Sequence, residues 1–230
     1  MVTSRKMTPK QVKTARTLAV AMGDLVHSEQ AADIAQLHET FNEAVVQCNR
    51  RYADVLASPL TITLGDEFQG LVTSLNAGAR LLRDIRLDLL QRGIDCRFVL
   101  GLARIETAVN PQQAWNMMGP GLSRSRHKLN EKRALCRYGF SLPQEPLLET
   151  TLDALGVGLT VIEKGWTQRQ LSDIAALLNG QLPAELAEQR QVSVHSIYKV
   201  RTSGHFDAYS QQWNAVLEVL ADLDRREAEQ

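Results

Sequence analysis

The sequence predicts an α+β protein: a ferredoxin-like βαββαβ domain followed by an all-α helix-turn-helix domain. Three observations carry this. Ile94, Cys96, Phe98, Leu100 and Leu102 alternate as the inward face of a half-buried strand. Ile34, Leu37, Phe41, Val45, Cys48 and Tyr52 recur at the spacing of one helix face. The last quarter holds short apolar-periodic segments separated by Asn179-Gly180, Gln191 to Ser193 and Gly204, so that two short helices meet at a brief turn.

Taken in order, residues 1–15 are polar and basic and read as a flexible arm without a secretory signal. Leu18 to Val26 is the first strand, and Ser28 is the expected N-cap of the helix that follows. After Pro59, Leu60-Thr61-Ile62-Thr63 and Gly70-Leu71-Val72 flank Leu64-Gly65-Asp66-Glu67-Phe68-Gln69. Gly65 and Asp66 suit the two-residue turn of a β-hairpin, which needs positive φ or a local side-chain hydrogen bond. Leu75, Leu82, Ile85 and Leu89 mark a second helix stopped by Gly93, and the alternating strand closes the βαββαβ order. A weaker helix is expected at Gln112 to Met117, broken by Gly119-Pro120-Gly121, and a further one from Leu122 to Arg137. Pro143 and Pro146 punctuate a boundary region before a connecting helix carrying Leu147, Leu148, Leu152, Leu155, Leu159 and Ile162. The predicted divisions are residues 1–15, 16–140, 141–165 (linker and connecting helix) and 166–226 (helical domain).

With 230 residues and 44% hydrophobic content, the chain can bury a core without disulfides or structural metals. Its formal net charge of zero leaves any nucleic-acid affinity to local clusters. Cys48, Cys96 and Cys136 show neither metal spacing nor a redox pair, which fits a reducing, cytoplasmic compartment. No stretch is long enough to span a membrane, and no membrane partner is expected.

Two acidic strand ends carry the sharpest chemistry. Asp24 closes the run Leu18 to Gly23, and Asp66 sits at the hairpin tip. Aspartates on neighbouring strands can hold Mg²⁺, which keeps several waters and needs few carboxylates beside a ligand phosphate. The plainer alternative is that Gly65-Asp66 is only a good turn and Asp24 only a cap. Glu67 is a third ligand or a surface charge. Arg124 and Arg126, just after Gly119-Pro120-Gly121, are either phosphate contacts or part of a solvated basic face with His127, Lys128, Lys132, Arg133 and Arg137. Trp115, Met117 and Met118 lid a pocket or fill core. In the last quarter, Lys199 and Arg201 could contact phosphates and His195 or Ser196 base edges; the alternative is a bundle used for protein contacts.

The chain resembles the SatD family of bacterial proteins. Met22-Gly23-Asp24-Leu25-Val26-His27-Ser28 and Thr61 to Gly70 carry the likeness, with Asn110-Pro111, Gly119-Pro120 and the Trp166-Thr167 helix start. More distantly, the order of these blocks is similar to the palm domain of class III nucleotidyl cyclases and GGDEF-type diguanylate cyclases. That likeness implies metal-binding roles for Asp24 and Asp66 and a ligand carbonyl at Leu25. It also implies nucleotide contacts around Gly65, Glu67, Arg124 and Arg126. The pattern departs at Ile62, where adenine-specific cyclases carry Lys, and at Leu64, where diguanylate cyclases carry a second Gly. The Asn and Arg that stabilise the cyclase transition state have no clean counterparts: Ser123 stands near the first, and Arg126 or His127 near the second. The resemblance therefore carries metal and phosphate binding further than catalysis. The reading is a cytoplasmic bacterial regulator that binds DNA and a nucleotide or phosphate ligand with Mg²⁺, with homodimerisation open. The alternatives are an active Mg²⁺-dependent nucleotidyltransferase or cyclase, and a protein-interaction module without a ligand.

Overall fold

A computed structural model describes residues 16–132 and 135–229. The arm expected at 1–15 and Arg133 lie outside the described residues. The strands are β1 (Arg16–Leu25), β2 (Leu56–Ile62), β3 (Glu67–Val72), β4 (Cys96–Ile105) and β5 (Tyr138–Ser141). They form one sheet in the order β2-β3-β1-β4-β5, antiparallel except for the β4–β5 pair. With α1 (Ile34–Arg51) and α2 (Leu75–Gln91), the first four strands follow the expected βαββαβ order.

The two faces of the sheet are filled differently. Ala19, Ala21, Phe68, Phe98 and Leu100 join Phe41 and Val45 of α1 and Leu82 and Ile85 of α2 in the main core. On the other face Leu18, Val20, Met22, Leu71 and Val99 pack beneath Leu122 and Leu129 of α3 (Leu122–Asn130). Covered on both sides, β4 is far more buried than its alternation predicts.

Local chemistry revises several boundaries. Asp33, not Ser28, caps α1 by accepting a hydrogen bond from the Gln36 N–H at 2.9 Å. Ser28 instead opens a short 3₁₀ turn. The hairpin connection spans residues 63–66 rather than two residues, closed by Thr63 N–H donating to the Glu67 carbonyl at 2.9 Å. Gly65 there has φ +86°, which favours glycine. Pro59 lies inside β2, at an irregularity of an edge strand, where no ladder donor is required of it.

Residues 112–117 form no helix. The Asn110 side chain accepts from the Gln112 and Gln113 N–H groups, and Ala114 is tied to Thr61 and Gln69, so the local backbone is satisfied without one. The helix expected to reach Arg137 stops at Asn130, and the sequence reading missed β5. The helix expected after Pro146 is α4 (Pro146–Lys164), and it packs directly on β5. Gly156 permits this approach, since a Cβ there would sit 2.3 Å from the Tyr138 carbonyl oxygen.

The remaining helices are α5 (Gln168–Leu178), α6 (Pro183–Arg190), α7 (Val194–Ser203) and α8 (Phe206–Ala228). Thr167 and Gln170 close a capping box at the start of α5. Leu177, Leu186, Ala187 and Ile197 form a small core of their own. α8 returns to the sheet: Tyr209, Trp213, Val216, Leu217 and Leu220 enter the main core. Asp224 accepts from the Leu75 and Asn76 N–H groups at 2.7 and 2.9 Å, satisfying the start of α2.

A buried polar network crosses this junction. Glu163 of α4 accepts from Arg86 at 2.9 Å, Tyr138 at 2.5 Å and Tyr209 at 2.8 Å. Burial and the Glu163 charge push both tyrosine hydroxyls well above their usual range. Arg86 also donates to Asp95 and to the Cys96 carbonyl. No helix among the described residues is long and apolar enough to cross a membrane.

Candidate functional site

Strand register assembles the site. Asp24 of β1 lies opposite Glu67 of β3 on one side and Arg97 of β4 on the other. Facing residues on paired strands point to the same side of a sheet. So Asp24, Glu67 and Arg97 form a row on the α3 side. The row sits where β1 ends: Leu25 N–H donates to the Asp66 carbonyl at 2.9 Å and Val26 N–H to the Asp95 carbonyl at 2.8 Å. The first of these bonds latches the hairpin tip to the strand that carries Asp24.

Each side chain is held by a neighbour. Arg97 Nε lies 2.9 Å from Asp24 Oδ2, and the two side chains are only 12% and 11% exposed. Ser28 Oγ donates to Asp66 Oδ2 at 2.8 Å. Arg126 of α3 reaches both Glu67 and Gln69 at 3.4 Å. Asp24 feels all of this. Burial raises its pKa most; the Arg97 guanidinium pulls it down, Asp66 and Glu67 push it up again, and Lys132 opposes them. The result is a carboxyl raised from 3.8 to about 6. Among the described residues no three His, Cys, Asp or Glu side chains gather closely enough to hold a metal ion by themselves. The available donors are carboxylate oxygens, which suit Mg²⁺ rather than a soft metal. The crowding of Asp66 and Glu67 on Asp24 is the electrostatic setting a divalent cation would relieve.

The other expected residues separate. Gly65 is open to solvent, with nothing within 4 Å of an added Cβ. Arg124 points away from the row and pairs with Glu149 of α4 at 3.2 Å. Lys128 is drawn the same way, to Glu149 at 2.7 Å and Asp153 at 2.9 Å, and also donates to the Phe140 carbonyl. Arg137 binds Asp95. Much of the basic run is thus neutralised internally; Arg126 reaches the row through Glu67 and Gln69, and Lys132 is close enough to act on Asp24 by charge. A polar crevice of about 640 Å³ between α3 and α4 involves Arg124, Lys128 and Glu149, apart from Asp24.

Beside the row, residues 63–64, the loop 114–117 and the start of α3 enclose a groove of about 500 Å³. Leu64, Trp115 and Met117 form its apolar wall, with Gln69, Ser123 and Arg126 among its polar lining. The sequence reading missed Arg97, Gln69 and the Ser28–Asp66 bond. Alternation could have placed Arg97 on the face opposite Cys96 and Phe98, but not opposite Asp24.

On α7, His195 and Lys199 are exposed, and with Tyr198 and Thr202 they share one face. The Ser196 hydroxyl is 2.9 Å from that of Ser193. Arg201 is held by Asp207 at 2.7 Å and lies 4.8 Å from the centre of the Phe206 ring.

The SatD family model matches residues 18–206. No curated protein matches. Among solved structures, the chain is similar to a bacterial light-regulated adenylyl cyclase, at 12% identity and a TM-score of 0.42 over 59% of this chain. The chain spans 44% of that cyclase's length. The adenylyl cyclase CyaB from P. aeruginosa matches at 10% identity and a TM-score of 0.34, over 50% of this chain and 70% of its own. The guanylyl cyclase Cya2 matches at 10% and 0.27, over 51% and 68%.

Proposed function

The chain belongs to the SatD family, and we propose that it is a cytoplasmic regulator whose sheet end binds a nucleotide or related phosphate ligand together with Mg²⁺. Asp24 and Asp66 would hold the cation, which would supply positive charge to the phosphate oxygens. Ser28 fixes the Asp66 carboxylate, and the hairpin latch fixes its distance from β1. Arg126, 39% exposed and already at the row, is placed to turn its fork toward a phosphate. The groove beside it, walled by Leu64, Trp115 and Met117, offers apolar surface for a base. The observation that carries this reading is the juxtaposition of three acids at one sheet end: buried Asp24 lies opposite Glu67 and beside the latched Asp66 hairpin tip, and burial with these neighbours lifts its carboxyl to about 6. Strongly perturbed groups of this kind collect at functional sites. The three free cysteines accord with a reducing compartment.

Thermal unfolding with ATP or GTP plus Mg²⁺ tests it. Ligand at about a hundred times Kd adds about 2.7 kcal/mol of stability, and Asp66→Ala should abolish the gain. No shift in the intact protein at millimolar nucleotide overturns the proposal. Product formation on long incubation would establish the rival reading, an active nucleotidyltransferase.

For the helical part, the exposed face of α7 with His195, Tyr198, Lys199 and Thr202 supports DNA binding, with Ser196 at its margin. Arg201 would have to leave Asp207 to contribute. One copy offers few cations, so this reading calls for a homodimer. Retention on DNA should fall steeply with salt, and Lys199→Ala should lower the slope by about 1 per copy; retention indifferent to salt would favour a protein-contact bundle.

A further inference from the structure

Arg97 occupies the approach to Asp24. Its Nε is 2.9 Å from Asp24 Oδ2, a bonding distance, yet the N–H is not directed at that oxygen. Nε is buried and has no hydrogen-bond acceptor among the described residues. This differs from the other buried guanidinium pairings in the protein. Arg137 places Nε at 2.9 Å and Nη2 at 2.8 Å on Asp95, a directed two-point contact. Arg86 makes aligned bonds to Glu163, Asp95 and the Cys96 carbonyl. A buried N–H without a directed acceptor is a cost rather than a gain, so the Arg97–Asp24 contact holds by charge more than by directed bonding. The row has uneven partners as well: Glu67 has Arg126, while the Asp66 carboxylate takes a hydroxyl, Ser28.

We propose that Arg97 is an internal counter-ion that stands in for the divalent cation and must be displaced before the cation can bind. The inference rests on the reading that Asp24 and Asp66 hold that cation. Arg97 would be a positioning residue, not a ligand. While it covers Asp24, a cation arriving alone meets both an occupied oxygen and a like charge. When a phosphate arrives with the cation, the released guanidinium has a better partner, because its fork matches phosphate oxygens. Arg97 therefore makes binding of cation and phosphate mutually dependent, and keeps the site from filling with free cation.

Mn²⁺ titration of the intact chain, followed by the electron paramagnetic resonance of free Mn²⁺ with and without ATP, tests this. Circular dichroism confirms that each variant is folded. Removing a unit charge next to the ion should tighten Mn²⁺ binding by about tenfold in Arg97→Gln, while the gain in Mn²⁺ affinity on adding ATP shrinks. Arg97→Lys, which keeps the charge, should bind Mn²⁺ alone as the unmodified protein does. Arg97→Met keeps the apolar stem and carries the same expectation as Arg97→Gln if the latter does not fold. Equal Mn²⁺ affinity in the unmodified protein and the neutral variants, abolished by Asp24→Asn, would overturn the role of Arg97 and leave the cation site standing. Weaker binding in the neutral variants would also overturn it. No Asp24-dependent Mn²⁺ binding in any form, with or without ATP, would remove the cation site and this inference together.

Discussion

Replacing Asp24 with Asn should stabilise the protein above neutral pH, and the size of the gain follows from its surroundings. Burial, with Asp66 and Glu67 adding to it, outweighs Arg97 and raises the Asp24 carboxyl from 3.8 to about 6. That difference corresponds to about 3 kcal/mol between its protonated and ionised folded forms. The folded protein holds the Asp24 proton more tightly than the unfolded chain does. The contribution of Asp24 to stability is therefore fully present below 3.8 and is lost as pH rises through about 6. Asn mimics the protonated form and keeps it at every pH. Arg97 is left without a carboxylate partner in both cases, so its loss cancels in the comparison. The variant's advantage should grow from about 1.5 kcal/mol near pH 5 to about 3 kcal/mol near pH 8. Urea unfolding of both proteins at several pH values measures it directly. Equal stability near pH 8, or a less stable variant, would refute the reasoning: Arg97 would then neutralise Asp24 fully, and no crowding would remain for a cation to relieve. Millimolar Mg²⁺ added together with ATP should narrow the gap by stabilising only the unmodified protein, whereas Mg²⁺ alone should narrow it far less.

Other outcomes follow from the same geometry. Glu163→Gln leaves Arg86 with one buried carboxylate fewer and should destabilise the fold by about 3–5 kcal/mol; a loss under about 1 kcal/mol in urea would show that the network relaxes easily. Gly156→Ala drives a methyl group toward the Tyr138 carbonyl and should cost at least about 2 kcal/mol, read as a lowered Tm; an unchanged Tm would mean that α4 slides freely on β5. Arg126→Ala should weaken nucleotide binding about tenfold through the loss of a charged phosphate contact, whereas Arg124→Ala, whose partner is Glu149, should leave calorimetric affinity unchanged. The reverse pattern would move the ligand to the crevice between α3 and α4.

The sequence was most informative where a pattern is local. The alternation from Ile94 to Leu102 and the helical spacing from Ile34 to Tyr52 located a strand and a helix, because each is set by which face meets the core. The acidic hairpin tip was legible because Gly65 and Asp66 state their backbone chemistry directly. β5 was not: its four residues are buried on both sides and too few to show a period. The helix expected to run to Arg137 overshot because the residues from Arg124 to Arg137 read as one continuous basic run, whereas Glu149, Asp153 and Asp95 draw Lys128 and Arg137 to different partners. The Asp24–Arg97 pair depends on the register between β1 and β4, which no short-range signal encodes. The pairing of Arg201 with Asp207, which lies on the next helix, was likewise not visible in the pattern of α7 alone.

The most direct measurement is an anomalous difference map from crystals grown with Mn²⁺ and a non-hydrolysable nucleoside triphosphate. A peak ~2.1–2.3 Å from carboxylate oxygens of both Asp24 and Asp66, with Arg97 turned away from Asp24, is the expected result. Mn²⁺ bound elsewhere, or Asp24 still covered by Arg97 beside a fully occupied ligand, would contradict it.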